Sequence, residues 1–181
     1  MVRCPTPNTS YAMNGIVDGI AYIQTSGTIV NSAALASWTP TYPSYLSDLR
    51  GQTVSSGCNC QTQLAGRTIN GFSFPNLAAM GEQYLHVSYL GAVVARQLSS
   101  NAHPYHQHVY PFQLVGNGFN GNYNRVGDWH DTVKGTGEIR FRPTDFTGKL
   151  MIHCHRLVHE DTGMMAMEYV GPVGNSCSCS N

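Results

Sequence analysis

The chain of 181 residues has room for one domain with an extension, and a domain of that size buries a sizeable core. Only 11% of its residues are charged, and 10 Lys plus Arg balance 10 Asp plus Glu, which leaves no electrostatic reason to bind nucleic acid or an anionic membrane. The longest strictly apolar runs, such as residues 92–95, fall far short of the roughly 20 residues that span a bilayer.

Residues 1–65 are punctuated by Pro and Gly and read as an irregular N-terminal extension. Within it, 16–24 and 28–30 have strand character, and 45–49 fit one helical turn. From Gly66 the signals become regular, and 66–171 reads as the folded domain, followed by a Cys-containing tail at 172–181. Residues 67–71 run as a strand into a turn, and 84–90 alternate Leu85, Val87 and Tyr89 against Tyr84, His86 and Ser88. Further strands are expected at 93–98, 109–115, 137–142, 149–154 and 165–170. Short strands between Gly- and Pro-rich turns, without a long amphipathic helical stretch, define an all-β sandwich or barrel.

Of six cysteines, four form two short pairs, Cys58-Asn59-Cys60 and Cys177-Ser178-Cys179. Two readings stand for them. Disulfides between the pairs would tie the N-terminal segment to the tail and place the protein in an oxidising compartment, secreted or periplasmic. A small soft-metal site is the other, since thiolates bind Zn or Cu(I). Cys4 is left over.

The densest chemistry lies in His153-Cys154-His155-Arg156-Leu157-Val158-His159-Glu160-Asp161-Thr162-Gly163-Met164. Imidazoles, a thiol and a thioether within twelve residues are the ligands that copper selects. On a strand ending near His155, Cys154 faces one side while His153 and His155 face the other, so the thiol and the flanking imidazoles serve different sites. A blue-copper centre takes two His and one Cys with a weak axial Met. Cys154, His159 and Met164 supply all but one His, and His103-Pro104-Tyr105-His106-Gln107-His108 supplies that one. Pro104 holds His103 extended, and His106 with His108 share a face in an extended segment. We therefore assign His103 to the sulfur-containing set, and His106, His108, His153 and His155 to a nitrogen-only set. His86 and His130 read as ordinary structural residues.

These motifs, together with Arg67-Thr68-Ile69-Asn70-Gly71-Phe72 and Trp129-His130-Asp131-Thr132-Val133, resemble the C-terminal cupredoxin domain of multicopper oxidases, the laccase and bilirubin-oxidase group. The resemblance implies a cupredoxin-type Greek-key β-sandwich over roughly the last 110 residues. It implies copper as cofactor, with His103, Cys154, His159 and Met164 as type 1 ligands, His106 as a type 2 ligand, and His108, His153 and His155 as type 3 ligands. The run from His159 to Met165 is similar to that of bacterial spore-coat laccases, which makes Glu160, then Asp161, the candidates for proton delivery and His159 the entry edge for electrons.

By the same resemblance the expected activity is oxidation of phenolic or metal-ion donors coupled to reduction of dioxygen to water. The family's complete trinuclear cluster takes twice the histidines found here, the other half from an N-terminal domain. Outside the two histidine-rich motifs only His86 and His130 remain, so a second polypeptide, a second copy in a homo-oligomer, or a domain from which this one is excised must complete it. The alternative expectation is a blue-copper electron carrier without oxygen chemistry.

Overall fold

The computed structural model describes residues 42–43, 45–74, 84–100, 102–116, 118–119 and 124–180. The strands expected at 16–24 and 28–30, and Cys4, lie outside them.

Among the described residues, twelve strands form two six-stranded sheets. The first sheet runs β2(Thr68–Ile69), β1(Asn59–Ala65), β4(Val94–Ser99), β9(Gly137–Phe141), β6(Phe112–Leu114), β7(Trp129–His130). In the second the order is β12(Ser178–Cys179), β3(His86–Tyr89), β11(Met165–Gly171), β10(Gly148–Cys154), β5(Tyr105–Gln107), β8(Thr132–Val133). β1 with β4 and β3 with β11 pair parallel, and the other pairings are antiparallel. A single short helix, α1(Leu157–Asp161), is present among the described residues. None is long and apolar enough to cross a membrane.

The expected all-β sandwich is therefore present. Its core is formed by Val94, Phe112, Leu114, Ile139, Phe141, Leu150, Ile152 and Ala166, all buried. Through that core passes one bidentate ion pair. Arg96 on β4 donates from Nε and Nη2 to Oε1 and Oε2 of Glu168 on β11, both at 2.9 Å, with neither side chain exposed. Burial alone would raise the Glu168 carboxyl, but the adjacent guanidinium overrides it and holds the group below the ordinary carboxylate range.

Several expectations need correction. The boundary at residue 66 falls inside the sheet, because β1 pairs with β4 over five residues, from Asn59 opposite Ala95 to Gln63 opposite Ser99. The compact unit begins at Ser44. Leu49 is fully buried, its amide donates to Gln113 Oε1 at 2.7 Å, and Arg140 Nη1 donates to the carbonyls of Leu49 and Gln52. The helical turn expected at 45–49 is absent, since that backbone is spent on the core and on Arg140. The tail is no loose end: β12 pairs with β3, and disulfides Cys58–Cys177 and Cys60–Cys179 tie it to the segment before β1 and to β1 itself. The alternation expected over 84–90 is present on β3, with His86 and Ser88 buried and Val87 and Tyr89 half-buried. The strand expected across 109–115 starts only at Phe112, because Val109 sits at φ 71°, outside the range a strand allows.

Candidate metal centres

The register of β10 builds both donor sets. It sets His153 opposite His106 and Cys154 opposite Tyr105 on β5, so one residue step carries the chain from one set to the other. The Cys154 side chain points into the core and is fully buried. His153 is buried on the other side of the strand, and His155, just past its end, is exposed.

After β10 the chain turns back on itself. Arg156 leads into α1, which carries His159 and Glu160. The Met164 amide then donates to the His159 carbonyl at 2.8 Å, and Cys154 N–H to the Met164 carbonyl at 3.1 Å, which closes the loop onto its own origin. Two outside ties fix it. Arg67 Nη1 donates to Thr162 Oγ1 at 2.7 Å, and the Phe74 amide donates to the Gly163 carbonyl at 2.7 Å.

The result is a compact triangle. Nδ1 of His103 and Nδ1 of His159 lie 3.0 Å apart, and Cys154 Sγ is 3.6 Å from the first and 3.7 Å from the second. Met164 is fully buried at the end of the same loop. Ser100 Oγ donates to the His103 carbonyl at 2.5 Å, and His155 N–H to the Pro104 carbonyl at 2.8 Å, so the segment that presents His103 is pinned on both sides. Burial lowers the His103 pKa, with His159 and Arg156 adding to it, so the ring is neutral and its lone pair free near pH 7. Burial pushes the Cys154 thiol up. The thiolate therefore forms only where a cation replaces the proton. Two imidazole nitrogens and one sulfur at these separations match the trigonal donor set of a blue-copper site.

The second set holds nitrogen only. Ligating atoms of His106, His108 and His153 lie within 4.8 Å of one another, and His108 Nε2 is 3.1 Å from His153 Nε2. The His155 ring joins from outside, 5.1 Å from that of His106 and 5.9 Å from that of His153. Burial lowers the pKa of His106, His108 and His153, which keeps them neutral donors.

Each inner ring is oriented through its far nitrogen. His106 Nδ1 meets the Asp131 carbonyl at 2.9 Å and Thr132 Oγ1 at 2.8 Å, and His153 Nδ1 meets the Cys154 carbonyl at 3.1 Å. Such contacts select the tautomer and free Nε2 for a metal. The sequence assigns no role to Asp131 and Thr132; their signal is their place in the Trp129–Val133 motif, which β8 brings against β5 while β7 pairs with β6 in the other sheet. Glu160 Oε2 stands 3.3 Å from His153 Nδ1, so the carboxylate reaches the nitrogen set, whereas Asp161, one residue on, is exposed.

The multicopper oxidase family profile matches residues 63–173. The chain belongs to the multicopper oxidase family, and its cofactor is copper. It is 34% identical over 140 residues to a laccase of Haloferax volcanii, which covers 70% of this chain and 23% of the laccase. Similar solved structures include a laccase from Pediococcus acidilactici Pa5930, with TM-score 0.54, 28% identity, and coverage of 74% of this chain and 31% of the other. Another is the McoA multicopper oxidase of Aquifex aeolicus, with TM-score 0.56, 26% identity, and coverage of 70% and 32%. The chain thus spans about a quarter to a third of the length of these relatives.

Proposed function

We propose that this chain is the copper-binding unit of a laccase-like oxidase that takes single electrons from phenolic or metal-ion donors and delivers them to dioxygen. One observation carries the reading: a sulfur-containing set and a nitrogen-only set sit on opposite sides of one strand, joined covalently through Cys154 and its neighbours. Copper supplies one-electron redox chemistry at the first set and reduction of dioxygen to water at the second. His103, Cys154, His159 and Met164 act as type 1 ligands, His106 as a type 2 ligand, and His108, His153 and His155 as type 3 ligands.

Each residue has a task that its position supports. His159, half-buried on the loop, is the edge that faces an organic or metal-ion donor. Glu160, 3.3 Å from His153, relays protons toward the nitrogen set, with Asp161 next on the route to solvent. The inner His are kept neutral by burial and aimed by Asp131, Thr132 and the Cys154 carbonyl.

The nitrogen set is open on the side of His108 and His155, both exposed, and exposed apolar Val109, Leu157 and Val158 follow them in sequence. A second polypeptide, a second copy of this chain, or a further part of a longer protein covers that face and contributes the remaining histidines. We place the assembly in an oxidising compartment, in keeping with its disulfides. A blue-copper carrier needs the sulfur-containing set alone and leaves the converged His106, His108 and His153 without a task.

The test is native mass, copper content and oxygen uptake on the copper-loaded protein supplied with a phenol. The proposal expects phenol-driven uptake in a complemented assembly, with about four copper ions per chain where a second polypeptide or a further part of the protein completes the cluster and about two to three where two copies share one. One copper per chain, blue colour and no uptake in any assembly would establish the carrier instead.

A further inference from the structure

The two disulfides look equivalent in sequence but not in their surroundings. β12 runs antiparallel to β3 with Cys179 directly opposite His86, and Cys60 reaches the same point from β1 in the other sheet. The sulfurs of Cys60 and Cys179 and a ring nitrogen of His86 all lie within 4.8 Å of one another. No histidine stands in a comparable cluster with Cys58 and Cys177 among the described residues.

His86 itself is unusual. Its side chain is 1% exposed, and Nε2 lies 3.1 Å from Thr62 Oγ1, but Nδ1 is buried without any partner. A buried polar nitrogen left unpaired destabilises a fold by about 1–3 kcal/mol, so such atoms call for an explanation in terms of ligands or function. Arg96 and Glu168 are the charged groups that act on this ring, and burial with Arg96 outweighs Glu168 and the Leu85 backbone to keep it neutral.

We propose that in the reduced chain Cys60, Cys179 and His86 form a three-coordinate site for monovalent copper, and that closing the Cys60–Cys179 disulfide abolishes it. The redox step balances with a small thiol as reductant. Its thiolate attacks Cys179, the more exposed sulfur, and Cys60 leaves as thiolate and takes up a proton. A second thiol resolves the mixed disulfide, so two equivalents are oxidised to their disulfide and two protein thiols are formed. Binding of one Cu(I) then releases both thiol protons and leaves two Cu–S bonds and one Cu–N bond. Two thiolates and an imidazole suit a soft monovalent ion. Zinc takes four ligands, and among the described residues no fourth His, Cys or carboxylate belongs to the cluster.

The test uses the full chain carrying Cys154→Ser, which removes the thiolate of the sulfur-containing set. Protein reduced with dithiothreitol and desalted without oxygen is titrated with Cu(I) against the chelator bicinchoninate, beside the disulfide-bonded form. The expected result is about one more chelator-resistant Cu(I) per chain in the reduced form than in the oxidised one, which holds copper on the nitrogen set alone. Adding Cys60→Ser and Cys179→Ser abolishes it, while Cys58→Ser with Cys177→Ser, which removes the same number of thiols, retains it. His86→Gln weakens binding by more than roughly tenfold and removes the nitrogen scatterer of the additional copper from the X-ray absorption spectrum. Retention of the additional copper by the Cys60/Cys179 variant, unchanged affinity and spectrum in His86→Gln, or displacement of that Cu(I) by equimolar zinc would each overturn the proposal. Should the serine variants fail to fold by circular dichroism, the His86→Gln spectrum alone decides.

Discussion

Gly163 is where the fold and the sulfur-containing set depend on a single missing methyl group. Its φ of +103° lies where L side chains are rarely found, and a Cβ would stand 2.8 Å from Ser73 Oγ and 3.2 Å from the backbone N and C of Phe74. Gly163→Ala therefore incurs backbone strain of about 1–3 kcal/mol and overpacking of about 1–3 kcal/mol. Because the serine hydroxyl can swing aside while the Phe74 backbone cannot, we expect a total near 3 kcal/mol. Relief of that strain would push Phe74 away, break its 2.7 Å bond to the Gly163 carbonyl and shift buried Met164, the next residue. Urea unfolding followed by circular dichroism measures the loss, and the visible spectrum of the copper-loaded variant reports on Met164. Ser73→Ala removes the shortest contact but neither the strained φ nor the Phe74 contacts, so in that background the same substitution should recover no more than about 0.5 kcal/mol. A Gly163→Ala protein within about 0.5 kcal/mol of the wild type, with an unchanged spectrum, would refute the reasoning.

Three further outcomes are expected. Glu168→Gln leaves the Arg96 guanidinium buried without its counter-charge and should lose about 3–5 kcal/mol, whereas replacing both by apolar residues of similar volume should lose far less; urea midpoints separate the two. Cys58–Cys177 and Cys60–Cys179 each close a loop of sequence separation 119 between the same two segments, so either alone retains most of the benefit. Removing one should cost less than about 2 kcal/mol and removing both about 5 kcal/mol, and additive losses would show that the bridges act independently. In the disulfide-bonded protein, burial first and Arg96 second lower the His86 pKa from 6.5 to about 4. Between those values the unfolded chain binds more protons, so stability is full above about pH 6.5 and falls by about 3 kcal/mol toward pH 4. Unfolding measured at both ends should show a fall in the wild type that is smaller by about this amount in His86→Gln, the other buried histidines contributing the remainder.

Much of the site was legible because strand alternation is strict. Cys154 and His153 part to opposite sides of β10, and His106 meets His153 across β5, as period-2 geometry requires. Hydropathy misled where the interior is polar. β1 carries Cys60, Thr62 and Leu64 inward, a face too polar to stand out, and it is buried by pairing with β4 and by the disulfide. β3 turns His86 and Ser88 inward toward the level of Glu168, its cross-strand partner, because that part of the interior holds an ion pair. Asp131 and Thr132 act through a backbone carbonyl and a hydroxyl, which no spacing rule marks, and only the meeting of β8 with β5 reveals them.

The central claim is that Cys154 is the sulfur ligand at the junction of two copper sets, and the visible absorption of copper-loaded Cys154→Ser beside the wild type tests it most directly. The wild type should show an intense blue band that the variant loses while keeping copper on the nitrogen set. A variant that stays blue would contradict the assignment on which the whole account rests.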